Sequence, residues 1–161
     1  MFEITTDEDV FKKFWQNDAE KMPAYFQNGT HAFETCWDDF KGFCEQCDRI
    51  YLIDNVALLY VERRGQHANI HFSLVRGETI DIADLIKIRG ELFKDFEMIF
   101  GWIGSKNRGL KQIIEQCGFH YDGFYMLKGQ SHGKVLEWQC YSIRKHELFS
   151  RKSNESLVTF V

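Results

Sequence analysis

Residues 107–119 (NRGLKQIIEQCGF) constrain the fold most, because both ends of one helix are marked in this stretch. Asn107, or Ser105 just before it, is typical of an N-cap, and Gly118 is typical of the position after a helix, where the left-handed backbone favours glycine. The apolar side chains between them recur at helical spacing: Leu110, Ile113, Ile114 and Cys117. The pattern predicts one short amphipathic helix.

Short apolar runs flank this helix on both sides. MIFGWIG (98–104) precedes it and HYDGFYML (120–127) follows it, and both have the composition of buried strands. A strand, a helix ending in Gly-Phe and a second strand together predict a return of the chain onto a sheet.

The chain before residue 98 predicts further helices and strands. A strand at 2–5 leads to a capping-box spacing that begins at Thr6, and helices are expected after it, over 19–26 and from Thr30 onward. Asp54-Asn55 is a hairpin signal between strands 49–54 and 56–62. A strand at 68–75 and a helix at 81–96 follow, and strands 121–128 and 135–143 close the pattern.

This order predicts a mixed α/β sheet that is mostly antiparallel and has helices on both faces. The 161 residues fit one domain, which we place at residues 1–145, followed by a tail over 146–161 with an apolar end. A net charge of −4 argues against nucleic acid as a partner. The acidic start resembles no signal peptide, and no apolar run would span a bilayer, so we expect a cytoplasmic protein.

Asn107 followed by Gly118-Phe119 resembles the closing motif of the GNAT acyltransferases, and the element order is that of the GNAT fold. In that family the Asn opens the last major helix beside the pantetheine arm of coenzyme A. The resemblance implies an N-acyltransferase that uses acetyl-CoA or another acyl-CoA. The acceptor would be an amine, either a small molecule or a protein.

The resemblance also implies a phosphate-binding loop after the strand at 68–75, where the sequence reads RGETID (76–81). Backbone amides of such a loop, at the N-terminus of a helix, favour an anion. Glu78 and Asp81 depart from the family pattern, and an ordinary loop with Asp81 as N-cap stays open as the alternative. The candidate cofactor-binding residues are Leu74, Val75, Arg76, Gly77 and Asn107.

His71 and Glu62 are the candidate general bases, because each is expected on a strand facing the acceptor cleft. A hydrogen-bonded residue of the sheet is the alternative interpretation of His71. The family tyrosine that protonates the leaving thiolate would fall on Ile114, which has no proton to donate. Tyr125 is the candidate substitute, with Tyr121 beside it, unless both are packing residues.

These departures leave a second hypothesis open, a catalytically inactive GNAT-like protein that acts by binding. GWIGSKN (101–107) is similar to a segment of small GNAT-like proteins of tailed phages, some of them virion or assembly components. That resemblance implies a setting in the host cytoplasm or a virion, and contact with a protein partner or a second copy through the tail. Cys44 and Cys47 favour buried thiols over a zinc site, so no metal is expected.

Overall fold

The computed structural model describes residues 1–21, 36–75, 77–105, 107–127 and 136–148. The strands are β1 (Phe2–Ile4), β2 (Arg49–Ile53), β3 (Ala57–Arg64), β4 (His67–Leu74), β5 (Met98–Gly104), β6 (His120–Leu127) and β7 (Leu136–Arg144). The helices are α1 (Glu8–Lys21), α2 (Trp37–Gln46), α3 (Ile82–Asp95) and α4 (Arg108–Gln116).

One sheet of seven strands, in the order β1-β2-β3-β4-β5-β7-β6, forms the centre of the fold. Only β4 and β5 pair in parallel, and the other neighbouring strands are antiparallel. The predicted mixed, mostly antiparallel sheet is therefore confirmed, and the described elements follow one another in the predicted order.

Helices cover both faces of this sheet, and alternation along the strands explains why. Leu58 and Tyr60 of β3 point to the face covered by α1 and α2, where Phe14 and Phe40 pack. Leu59 lies on the opposite face, which α3 and α4 cover with the following residues: Ile88, Leu92, Ile114 and Cys117. We refer to these as the α1/α2 face and the α3/α4 face.

The turn and the helix ends that the sequence predicts most clearly form at the predicted residues. Asp54 and Asn55 have φ values of 49° and 59°, so the β2–β3 hairpin turns at the predicted place. Asn107 caps α4, because its Oδ1 accepts a hydrogen bond from the Leu110 amide at 3.1 Å. Gly118 has φ 89°, and the amide that follows it, Phe119 N, donates to the Ile114 carbonyl at 3.1 Å.

The start of α1 corrects the sequence interpretation. Asp7, and not Thr6, caps this helix, since Asp7 Oδ1 accepts from the Asp9 amide at 2.9 Å. The helix therefore begins one residue later than the capping box at Thr6 predicted. It also continues to Lys21, into the stretch given to a second helix at 19–26. The rest of that prediction lies outside the described residues. The helix predicted from Thr30 onward does not continue through Cys36, because that residue has an extended backbone (φ −119°, ψ 129°) and α2 begins only at Trp37.

The strands β4 and β5 part after a short parallel pairing. Their register runs from His67 opposite Met98 to Ile70 opposite Gly101. Within the described strands, residues 71–74 and 102–104 form no further β4–β5 pairs, while β5 stays paired with β7 as far as Gly104. A Cβ at position 101 would lie 3.0 Å from the Ile70 carbonyl oxygen, so the last pair needs glycine for its close approach.

Candidate active site at the parting of β4 and β5

The parting of β4 and β5 brings two helix starts to one edge of the sheet. Helix α3 follows β4 and helix α4 follows β5. Because the carboxyl ends of parallel strands meet at the same edge, both N-termini lie beside the gap between the strands. This edge is where a ligand of an open α/β sheet usually binds.

Glu62, Asn69 and His71 form a hydrogen-bonded cluster next to the parting. The β3–β4 register pairs Glu62 with Asn69 and Tyr60 with His71, which puts the three side chains on the α1/α2 face. Glu62 Oε2 lies 2.6 Å from His71 Nε2, and Asn69 Nδ2 donates to the same carboxylate oxygen at 2.8 Å. His71 directly follows Ile70, the last residue of β4 that pairs with β5.

This geometry sets the chemistry that His71 offers. A ring nitrogen 2.6 Å from a carboxylate oxygen carries the hydrogen, so Nε2 donates to Glu62 and Nδ1 is the basic nitrogen of the neutral ring. The second carboxylate oxygen of Glu62 accepts from Arg64 Nη2 at 3.0 Å. The edge of His71 meets the Phe43 ring at a centroid distance of 5.2 Å. The imidazole is thus oriented, and its side chain is 38% exposed.

The predicted cofactor-binding residues of the β4–α3 loop are arranged less favourably. Leu74 packs toward the α3/α4 face and Val75 toward the α1/α2 face. Two amides of the loop already donate within the protein, Val75 N to Val56 O at 2.8 Å and Glu78 N to Val75 O at 3.1 Å. Gly77 has the left-handed φ of 84° that such a turn requires. Arg76 lies outside the described residues.

The N-terminus of α3 is occupied by a side chain of this protein. Asp81 Oδ1 accepts a hydrogen bond from the Ala83 amide at 2.8 Å, so the predicted alternative of an Asp81 cap is confirmed. Asp84 in the first turn is already paired, since its Oδ2 lies 2.6 Å from the Met1 ammonium nitrogen. A diphosphate fits poorly at this terminus, because the Asp81 carboxylate already occupies the positive end of the helix dipole and would repel the phosphates.

The candidate acids are placed apart from His71. Ile114 is buried in the core of the α3/α4 face, and Tyr121 is 49% exposed with its ring edge against Tyr141. Tyr125 lies in β6 opposite Trp138, and its side chain is outside the description. Strands β5 and β7 separate β6 from β4. The structure therefore brings Glu62 and His71 together and leaves the strand of Tyr125 elsewhere.

Asn69 is the member of the cluster that sequence reasoning did not select. Its register was readable in principle, because a two-residue turn at Gly65-Gln66 places Glu62 opposite Asn69. The buried amide has its Oδ1 without a hydrogen-bond partner among the described residues. An unpaired buried acceptor is costly, and it commonly marks a functional site.

The cysteine pair has the character of core packing. Cys44 is buried in the α1/α2 cluster, and burial raises the pKa of both Cys44 and Cys47 to about 12. Such thiols stay protonated at neutral pH, which makes them poor ligands and poor nucleophiles. Among the described residues, no group of three or more His, Cys, Asp or Glu side chains could hold a metal ion. None of the described helices has both the length and the apolar character to cross a membrane.

Comparison with known proteins relates the chain to others by structure. No family model matches it, and no curated protein matches its sequence. A mutant of the spermidine N-acetyltransferase SpeG from Vibrio cholerae superposes with a TM-score of 0.73 at 10% identity, over 94% of this chain and 99% of that one.

Two further solved structures give the same result. The ribosomal-protein-S5-alanine acetyltransferase from Vibrio fischeri has a TM-score of 0.66 at 10% identity, covering 89% of this chain and 91% of that one. An N-acetyltransferase from Staphylococcus aureus Mu50 has a TM-score of 0.62 at 13% identity, covering 89% and 97%. Identities this low carry the fold alone. The chain has the GNAT acyltransferase fold.

Proposed function

We propose that this protein is an N-acyltransferase that moves an acyl group from acyl-CoA to an amine acceptor. One observation carries the proposal. His71 directly follows the last β4–β5 pair, at the point where the sheet opens, and Glu62 holds its ring at 2.6 Å. A base at the opening between two covered faces of a sheet suits a reaction whose two substrates arrive from opposite sides.

The side chains present supply the base that such a reaction needs. When bound, acyl-CoA would supply a thioester carbonyl that an uncharged amine nitrogen can attack. An amine is protonated at neutral pH, so its proton must first be removed, and in this proposal Nδ1 of His71 accepts it. Glu62 stabilises the imidazolium that results, because the carboxylate already bonds Nε2. The thiolate that leaves must be protonated, and Ile114 has no proton to donate. Tyr125 as the proton donor stays a prediction.

The residues that would hold acyl-CoA follow from the fit of the site. The parting strands and Asn107 suit the acyl end, and Leu74, Val75 and Gly77 lie where the diphosphate end is expected. The functions of the structural neighbours guide the choice of acceptor. One is a spermidine N-acetyltransferase and another acetylates an alanine of ribosomal protein S5, so polyamines and peptides with N-terminal alanine are the first amines to test.

A GNAT-like protein that binds a partner without catalysis is the second candidate. Glu78 and the Asp81 cap at the start of α3 favour it, as does the apolar Ile114. A protein partner or second copy that meets residues 146–161, a phage origin and a location in the host cytoplasm or a virion stay predictions.

Replacement of His71 tests the proposed function. Acetyl-CoA and an amine panel are incubated with the protein, and released thiol is measured between about pH 6 and 9. His71→Asn and Glu62→Gln are each expected to lower kcat by about 10²- to 10⁴-fold, the usual contribution of a general base. His67→Asn is the matched control, because His67 is exposed on the same strand and the same face.

Binding distinguishes the two candidates. Calorimetry with acetyl-CoA is expected to show saturable binding for the wild-type protein and for His71→Asn alike. Absence of heat at several hundred micromolar acetyl-CoA would reject the transferase in favour of the binding protein. Full activity of His71→Asn would reject the assignment of the base while leaving the transferase standing.

A further inference from the structure

A small cavity lies on the α3/α4 face beside the parting of the strands. Its volume is about 50 Å³. Much of the wall comes from β4, α3 and α4, through Ile70, Phe72, Leu85, Ile88, Leu110 and Ile113. Strands β3 and β5 and the segment after α4 complete it, through Leu59, Ile99, Cys117 and Phe119. Ile70 is the last residue of β4 to pair with β5, so the cavity begins where the strands separate.

The lining of the cavity is almost entirely apolar. Arg89 is the one charged residue in its lining, and its guanidinium donates to the Cys117 carbonyl at the end of α4. A pantetheine arm carries amide groups that need hydrogen-bond partners, so its burial among these side chains would leave them unsatisfied. An alkyl chain has no such requirement and gains free energy from every methylene that it buries.

Ile114 forms part of the same wall. The resemblance to the GNAT family would place a tyrosine hydroxyl at this position. An isoleucine removes that polar group and keeps this part of the wall apolar. The isoleucine at position 114 therefore removes the expected acid and at the same time makes the wall suitable for an alkyl chain.

We propose that this cavity receives the alkyl part of an acyl group longer than acetyl, about four carbons in length. The inference rests on the proposed function, and it names the class of donor, a short-chain aliphatic acyl-CoA. An empty apolar cavity of this size lowers stability, because its walls lose packing contacts, and an alkyl chain restores those contacts. A volume of about 50 Å³ accommodates a few heavy atoms and excludes a long fatty acyl chain.

Titration of a series of thioesters tests the inference. Acetyl-, propionyl-, butyryl-, hexanoyl- and palmitoyl-CoA are titrated into the protein by calorimetry, without any amine acceptor. Each methylene that enters the cavity is expected to tighten binding by about fourfold, so butyryl-CoA, with two more methylenes, should bind about fifteenfold tighter than acetyl-CoA. The gain should end with the short chains, and palmitoyl-CoA should gain nothing beyond them.

Variants of Leu110 supply the control for position. Leu110 is partly buried in the wall, so Leu110→Phe fills the space and should abolish the preference for butyryl-CoA while acetyl-CoA still binds. Leu110→Ala enlarges the space and should move the optimum to a longer chain. Ile86→Phe is the matched control, since Ile86 on α3 is 39% exposed and lies outside the cavity wall. It should leave the order of affinities unchanged.

The outcomes separate this inference from the proposed function. Equal affinity for acetyl- and butyryl-CoA, or a preference that survives Leu110→Phe, would overturn the acyl cavity and leave the transferase intact. Failure of every thioester to bind would overturn both. Thermal unfolding in the presence of butyryl-CoA gives a second readout, because a ligand that fills the cavity raises Tm in the wild type more than in Leu110→Phe.

Discussion

Helices α3 and α4 begin at the same edge of the sheet, yet their first turns differ in charge. Helix α4 is capped by the neutral Asn107, carries no acid in its first turn and begins with Arg108. Helix α3 is capped by the carboxylate of Asp81 and has Asp84 in its first turn. Each cap accepts a hydrogen bond from a backbone amide, Leu110 N in one helix and Ala83 N in the other.

The two helix starts show that the fold requires a capping side chain at each N-terminus but does not determine whether that side chain is charged. An Asx side chain meets the structural need of either helix, since amide and carboxylate cap about equally well. A carboxylate interacts more favourably with the helix dipole, but it also occupies the place that an external anion would take. The α3 start therefore favours stability over anion binding, and the α4 start retains the capacity for both.

Among changes to the two helix starts, exchange of the two caps gives the largest expected effect. Asp81→Asn removes a negative charge from the expected diphosphate site and should strengthen CoA binding by about threefold. Asn107→Asp introduces one beside the parting and should weaken it by a similar factor. The two variants would then differ about tenfold, which is about 1.4 kcal/mol. Both keep a residue that caps well, so the fold should persist.

Asp38→Asn is the control for the exchange. Asp38 lies in the first turn of α2, a helix of the α1/α2 face, and its replacement should leave CoA affinity unchanged. Isothermal calorimetry at two salt concentrations measures the three variants, since a difference due to charge shrinks as salt screens it. Equal affinities for Asp81→Asn and Asn107→Asp would mean that the charge of neither cap acts on bound CoA.

The fold was largely predictable because its strongest signals are local. The segment from Asn107 to Phe119 contains its own cap, apolar stripe and terminating glycine, and each acted within a few residues. The Asp54-Asn55 turn is of the same kind. The start of α1 was misplaced because Thr5, Thr6 and Asp7 all have side chains that cap helices, and tertiary context decides among them.

The candidate site was predictable only in part, because it depends on contacts between segments. His71 and Glu62 were selected separately, and their 2.6 Å contact depends on the register across the β3–β4 turn. The parting after Ile70 and the cavity beside it depend on how far two parallel strands stay paired. No local pattern records that distance, since it is set by the helices packed on either side.

Removal of each cap measures its contribution to the stability of the fold, separately from CoA binding. The expected effect is smaller than that of the exchange. Asp81→Ala and Asn107→Ala should each lower the free energy of unfolding by about 1 kcal/mol, because an amide of the first turn loses its partner. Urea denaturation measures the loss as a shift of midpoint at constant m-value. Asp81→Asn is the matched control and should cost a few tenths of a kcal/mol.

Different losses of stability in Asp81→Ala and Asn107→Ala would contradict the conclusion that both side chains cap their helices equally well. A full loss for Asn107→Ala with none for Asp81→Ala would show that the Asp81 carboxylate contributes little as a cap. The acid would then be present for another reason, such as exclusion of an anion or recognition of a cation.

Asp48 is a reference carboxylate, because two arginine side chains neutralise its charge in the folded protein. Its replacement should give the smallest change in stability. Desolvation alone would raise the pKa of Asp48, but hydrogen bonds from Arg63 and Arg49, each at 2.8 Å, outweigh it and hold that pKa below 3.8. A depressed pKa means that the stabilisation is complete above the ordinary pKa and is lost as the pH falls through the lowered value. Near the surface it amounts to less than about 1 kcal/mol.

Urea denaturation between about pH 7 and 3 should therefore show a steeper loss of stability for the wild type than for Asp48→Asn, with the two curves converging at the acid end. Parallel curves for Asp48→Asn instead would mean that the two arginines leave the Asp48 carboxyl no more acidic than in the unfolded chain. In that case, charge neutralisation would not distinguish Asp48 from Asp81, which accepts a hydrogen bond from an uncharged amide.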